Sequence, residues 1–184
     1  MFPQSRIPRK YSVLSILIHV VLTAIVYTLL PLKGFLHFIN EALVIASISA
    51  ISSIFGSAVG SLSTLLSTFA VIYISLPELA TPMEMISVFW SIFFKQIIVV
   101  GFVGTIVDKP NQPERMILWT FLSSIISYIV SSIISMTDLE YFVGVIIPLS
   151  SPTLISSALL APLLAIMYGG IGFSLQKLSS RSNS

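Results

Sequence analysis

ISSIFGSAVGSLSTLLSTFAVIYISL, residues 51–76, decides the architecture of this chain. The sequence contains no proline from residue 35 to residue 76. A single helix over this segment would be about 63 Å long, twice the roughly 30 Å thickness of a bilayer core, so the segment has to fold back on itself. Turn chemistry is found only at residues 55–60, FGSAVG, where glycine can adopt positive φ without steric cost. We therefore predict two helices joined at Gly56.

Small residues recur at every fourth position after this turn and again in two later apolar segments. In lipid, such ridges let helix backbones approach closely, so we predict that these positions pack helices together. The predicted packing positions are Gly56, Gly60 and Thr64, then Ser123, Ser127 and Ser131, then Ala161, Ala165 and Gly169.

The composition is that of a membrane protein. The chain is 55% hydrophobic and 9% charged, and its mean hydropathy is +1.02, whereas soluble domains carry roughly 25% charged residues. At about 20 residues per span, six helices and short loops use all of residues 1–184 as one transmembrane domain, an all-α bundle in contact with membrane lipid. The net charge of +2 is too small and scattered to indicate a nucleic-acid partner. The absence of cysteine excludes disulfides, thiolate nucleophiles and sulfur-ligated metals.

Proline-containing and charged segments divide the chain into predicted spans at about 11–30, 35–55, 57–76, 85–107, 116–136 and 153–176. The first apolar run is too long for a signal-peptide core and ends without a small-residue cleavage site, so we expect it to be retained. His19, near its mid-depth, is expected to be a neutral, hydrogen-bonded packing residue, with a ligand role as the alternative. The apolar patch 141–149 is too short to span and is expected to cap or enter the bundle.

The basic residues predict the orientation in the cell membrane. With six spans and a cytoplasmic amino terminus, most basic residues lie inside, only Lys33 lies in an outer loop, and acidic residues gather outside, which satisfies the positive-inside rule. Both termini are then cytoplasmic. Five spans would place Lys177 and Arg181 on the wrong side.

Lys95 lies ten residues into the fourth predicted span, about 15 Å deep. A charge at that depth costs roughly 3 kcal/mol and should face the bundle interior with a partner. Glu41, about 9 Å below the outer surface, is within reach of the lysine stem. Two interpretations stay open, a structural ion pair and a polar ligand site in the outer half of the bundle. The candidate ligand-binding residues are His37, Asn40, Glu41, Glu84, Ser87, Trp90, Ser91 and Lys95.

Enzyme signatures are missing from the sequence. There is no GxxxxGK[ST] phosphate loop, no HExxH and no histidine after residue 37 that would serve as a late general base. Serines in membrane helices are packing groups far more often than nucleophiles. We therefore predict no catalytic residues, no metal site and no cofactor.

The basic arm, the first span and the second and third spans joined through FGSAVGSLSTLLS resemble the substrate-binding S components of energy-coupling factor (ECF) transporters. That family often reads FGPxxGxxxGxxxxLL at this junction, and Phe55, Gly56, Gly60 and the Leu65–Leu66 pair match it. The chain departs from the family pattern where Ser57 replaces the proline and Thr64 the next glycine. In the first span the family often has AxxxA; this chain has Ser12, Ser15, Thr23 and Ala24.

The resemblance implies a membrane subunit that captures a vitamin-like or metal-related small molecule from outside. It also implies a separate transmembrane coupling protein and ATPase subunits as partners. A non-catalytic structural subunit of a larger membrane complex is the competing hypothesis, and a small-solute channel is a third. Binding of one small molecule by the purified chain would separate the first hypothesis from the second.

Overall fold

The computed structural model describes residues 10–28, 35–75, 81–107, 112–134 and 147–181. Every regular element within these ranges is a helix, so the prediction of an all-helical chain is confirmed for them. The helices are α1 Lys10–Thr28, α2 Phe35–Phe55, α3 Ser57–Ser75, α4 Pro82–Ile106, α5 Pro113–Ile134 and α6 Ile147–Arg181.

Four of these helices are long and apolar enough to cross a membrane. Their apolar stretches are Ser57–Ile74, Phe89–Ile106, Pro113–Ile134 and Ser151–Gly170. The apolar stretches of α1 and α2, Ser12–Tyr27 and Ile39–Phe55, are shorter. Length and composition thus indicate a membrane protein, while the six-span count and the cytoplasmic termini stay predictions.

Helix α2 is the centre of the bundle. It packs against each of the other five described helices, most extensively against α6. Every side chain from residue 44 to residue 55 is buried, as expected of a helix surrounded by other helices. The packed core around α2 includes Ile48 and Ile51, Val99 and Val103 of α4, and Ala161 of α6.

The turn between α2 and α3 lies at Gly56, as the sequence predicts. Gly56 has a φ of 87°, a left-handed conformation that favours glycine. The backbone N–H of Gly56 donates to the Ser52 carbonyl over 3.0 Å. One turn later, a Cβ on Gly60 would collide with the Ser52 hydroxyl and lie 3.1 Å from the methyl groups of Val100. Only glycine lets α3 sit this close to α2 and α4.

The helix starts differ from the predicted spans in a regular way. Helices α4 and α5 begin earlier than predicted, at Pro82 and Pro113. Proline suits the first helical position because the N–H it lacks would have no partner inside the helix. The last helix, predicted from about residue 153, also begins earlier, at Ile147, so residues 147–149 of the apolar patch belong to α6. Residues 141–146 lie outside the described residues, and the expectation that the patch caps or enters the bundle stays a prediction.

Most buried hydroxyl groups bond to their own helix. Ser52 donates to the Ile48 carbonyl over 2.7 Å, and Ser127 to the Ser123 carbonyl over 2.6 Å. A serine satisfied in this way presents only a small side chain to the neighbouring helix. Of the predicted packing positions, Thr64, Ser123, Ser127, Ser131, Ala161 and Ala165 are buried.

Gly169 departs from the expected packing ridge. A Cβ built on it would meet no atom within 4 Å among the described residues. Among the described residues, Gly169 therefore lacks the close contact that Gly60 makes, and its packing role stays a prediction. Four-residue spacing places Gly169 on the face of Ala165, but it does not determine how far along α6 the neighbouring helices reach.

Candidate functional site

An ion pair between α4 and α2 lies inside the bundle. The Lys95 Nζ donates to Glu41 Oε1 over 2.7 Å. The side chains are only 21% and 11% exposed, so water screens the pair weakly. A charge buried in lipid needs a partner inside the bundle, and Glu41 is the partner that the sequence predicts for Lys95. At this distance the contact is a charge-assisted hydrogen bond.

Two tyrosines complete the surroundings of this pair. The Lys95 Nζ lies 4.6 Å from the centroid of the Tyr128 ring, within the range of a cation–π interaction. Tyr27 of α1 and Tyr128 of α5 also lie close enough to Glu41 to interact with its charge. Four helices therefore supply the cluster Tyr27, Glu41, Lys95 and Tyr128, which we call the ion-pair cluster. The sequence offered no independent argument for either tyrosine.

Two buried side-chain atoms, one on Tyr128 of this cluster and one on Asn40, make no hydrogen bond of normal geometry among the described residues. The Asn40 Nδ2, one residue before Glu41, is buried and has no hydrogen-bond partner among the described residues. The Tyr128 hydroxyl lies near Glu41 and Thr153, yet it makes no hydrogen bond of normal geometry within the same residues. A buried polar group without a partner costs about 1–3 kcal/mol. Such groups are candidates for contact with a ligand.

Two further predicted ligand residues, Trp90 and Ser91, contact residues outside the ion-pair cluster. Trp90 is 38% exposed and stacks on Phe94 with ring centroids 5.0 Å apart. Phe89 and Phe93 extend this aromatic cluster along the surface of α4. The Ser91 carbonyl accepts a 3.4 Å hydrogen bond from Ser131 of α5. The side chains of His37, Glu84 and Ser87 lie outside the described residues.

A second polar network occupies the middle of the bundle. His19 is fully buried; its Nδ1 lies 3.2 Å from the Ser47 Oγ and its Nε2 3.0 Å from the Gln96 Oε1. The Ser47 Oγ is 2.7 Å from the Tyr168 hydroxyl, and Ser67 donates to the Gln96 Oε1 over 3.1 Å. These five residues, the His19 network, connect α1, α2, α3, α4 and α6.

His19 is thus a hydrogen-bonded interior residue, as the sequence predicts, but its partners were missed. Gln96 follows Lys95 directly in an otherwise apolar run, which is a signal for an interior polar contact. Among the described residues, no group of three or more His, Cys, Asp or Glu side chains is arranged to hold a metal ion.

No protein-family model, curated protein or solved structure matches this chain. Its function is therefore inferred from the residues themselves, above all from the ion-pair cluster.

Proposed function

We propose that this protein is the substrate-capture membrane subunit of an ECF-type importer for a vitamin-like small molecule or a metal-related nutrient. The observation that carries the proposal is the ion-pair cluster, a charged pair inside an apolar bundle, together with the buried Asn40 Nδ2 and Tyr128 hydroxyl, which have no hydrogen-bond partner among the described residues. Burying a charge in lipid is expensive, and intramembrane ionisable residues commonly mark ligand pathways.

The chemistry of the cluster favours a ligand with an anionic or hydrogen-bonding group. The Lys95 ammonium has three N–H donors, and Glu41 occupies one of them. The remaining donors, together with the Asn40 amide, are suited to a carboxylate or carbonyl oxygen. The Tyr128 hydroxyl can donate or accept, so it suits a neutral polar edge of the same molecule.

The transport part of the proposal rests on the resemblance in layout. The turn at Gly56 and the close approach at Gly60 lie in the segment on which the resemblance is based. The chain has no phosphate-binding loop, so energy would come from ATPase subunits through a transmembrane coupling protein. We place the chain in the cell membrane with six spans and both termini in the cytoplasm, since this arrangement keeps basic residues inside.

A non-catalytic structural subunit of a membrane complex is the second candidate. One observation favours it: Lys95 and Glu41 already satisfy each other at 2.7 Å. A pair of this kind needs no ligand to be stable. It would serve to fix α4 against α2.

A small molecule that stays bound through purification distinguishes the substrate-capture subunit from the structural subunit. The wild type and the double variant Lys95→Met with Glu41→Gln are purified from cells grown in rich medium and compared by native mass spectrometry. Thermal stability is then measured against a panel of vitamins and divalent cations. The control variant is Arg115→Met with Glu114→Gln, which removes an exposed cation and carboxylate from α5.

We expect a bound small molecule on the wild type and on the control, and none on the folded double variant. We also expect uptake by cells only when a coupling protein and ATPases are supplied. An empty wild type that no member of the panel stabilises would favour the structural-subunit candidate.

A further inference from the structure

The side-chain amide of Gln96 is satisfied at one end only. Gln96 is 2% exposed, and its Oε1 lies 3.1 Å from the Ser67 hydroxyl and 3.0 Å from the His19 Nε2. Its Nε2 is buried and has no hydrogen-bond partner within the described helices. The other end of the same amide thus has two close partners.

Thr64 of α3 has a second such atom. Its neighbours donate to carbonyls one turn back: Ser63 to Val59 over 2.9 Å and Thr68 to Thr64 over 2.8 Å. The hydroxyl of Thr64 is buried and makes no hydrogen bond with any described residue. Meanwhile the Thr64 carbonyl accepts hydrogen bonds from both Ser67 and Thr68. Unlike the hydroxyls of Ser63 and Thr68, the Thr64 hydroxyl therefore has no described carbonyl one turn back as its acceptor.

The Ser67 hydroxyl links the backbone of Thr64 to the side chain of Gln96. It lies 3.0 Å from the Thr64 carbonyl and 3.1 Å from the Gln96 Oε1, so it contacts both residues at once. A buried polar group without a partner costs about 1–3 kcal/mol, and the interior of a bilayer offers no bulk water to satisfy it. Buried waters in proteins typically bond about three such polar groups.

We propose that an ordered water molecule is bound between Gln96 and Thr64 and links α3 to α4. Water suits this site because it both donates and accepts, which matches a hydroxyl and also an amide in either orientation. An ion would need a counter-charge, and the nearest charged side chain along α4, Lys95, is already paired with Glu41. The water site is separate from the proposed ligand site and does not depend on it.

The direct test is an experimental structure of the wild-type protein at a resolution that shows ordered waters. We expect density within hydrogen-bonding distance of both the Gln96 amide and the Thr64 hydroxyl. A well-defined map without that density would overturn the proposal.

Thr64→Val gives an independent test in solution because it keeps the shape of the side chain and removes the hydroxyl. We expect its melting temperature to fall by about 2–4 °C, as for the loss of one hydrogen bond in a chain of this size, and Thr64→Ser to retain wild-type stability. If nothing is bound, Thr64→Val removes an unsatisfied hydroxyl, and it would melt at or above the wild-type temperature.

Thr120→Val is the matched control. The Thr120 hydroxyl on α5 is also buried and unpartnered among the described residues. Thr120 follows Trp119, whose ring stacks on the ring of Phe102 in α4. Phe102 is six residues beyond Gln96, which is about 9 Å along the helix. We expect this variant to be at least as stable as the wild type. An equal fall in melting temperature for Thr64→Val and Thr120→Val would overturn the proposal, and if Thr64→Val does not fold, the wild-type map decides.

Discussion

Removing the ammonium of Lys95 should destabilise the protein strongly. Glu41, whose side chain is only 11% exposed beside the intact lysine, loses in Lys95→Ala the partner that lies 2.7 Å away. Breaking a buried pair in this way costs about 3–5 kcal/mol. The partial exposure of Lys95 places the expected cost near the lower end, at about 3 kcal/mol. For a chain of this length that corresponds to a melting temperature about 6–12 °C lower.

The assay is thermal unfolding in detergent, followed by the fluorescence of the two tryptophans. The double variant Lys95→Met with Glu41→Gln should recover most of the loss, because it leaves no charge without a partner. The exposed pair Glu114→Gln with Arg115→Met should stay within about 0.5 kcal/mol of the wild type. If Lys95→Ala melts like this control, Lys95 and Glu41 are not a buried pair in solution.

Three further predictions test packing, the cation–π contact and orientation. Gly60→Ala should cost about 1–3 kcal/mol through overpacking, whereas Gly101→Ala, whose Cβ meets nothing within 4 Å, should be neutral or slightly stabilising; identical melting curves would contradict the close approach. Tyr128→Phe should keep wild-type stability, and Tyr128→Leu should lose about 0.5–2 kcal/mol with the ring; equal losses would show that the ring face contributes nothing. In intact cells, an impermeant thiol reagent should label Thr81→Cys, and it should reach Glu114→Cys only after permeabilisation; the opposite pattern would invert the orientation.

The features that the sequence predicted correctly are those with a local or energetic cause. The turn at Gly56 follows from a proline-free segment too long for one membrane crossing. The pairing of Lys95 with Glu41 follows from the cost of a lone charge in lipid. Both arguments need only the position of a residue along its own helix.

The features that it missed depend on how the helices are arranged around one another. His19 and Gln96 are 77 residues apart in sequence, and no local periodicity encodes their contact. The central position of α2 was missed for the same reason. In the sequence its serines resemble a polar face, whereas in the bundle every residue of the stretch 44–55 is buried. The four-residue spacing of Ala165 and Gly169 places both residues on one face of α6, but it does not determine how far along that face other helices make contact.

The central position of α2 has a consequence for how the protein is made. Its most extensive partner, α6, is the last of the described helices to leave the ribosome. Until then α2 lacks the helix that covers it most extensively, and the Ser47 hydroxyl lacks the Tyr168 hydroxyl that lies 2.7 Å away in the complete bundle. Assembly of this bundle is therefore completed late in synthesis, and a chain truncated before residue 147 would leave uncovered the side of α2 that α6 packs against.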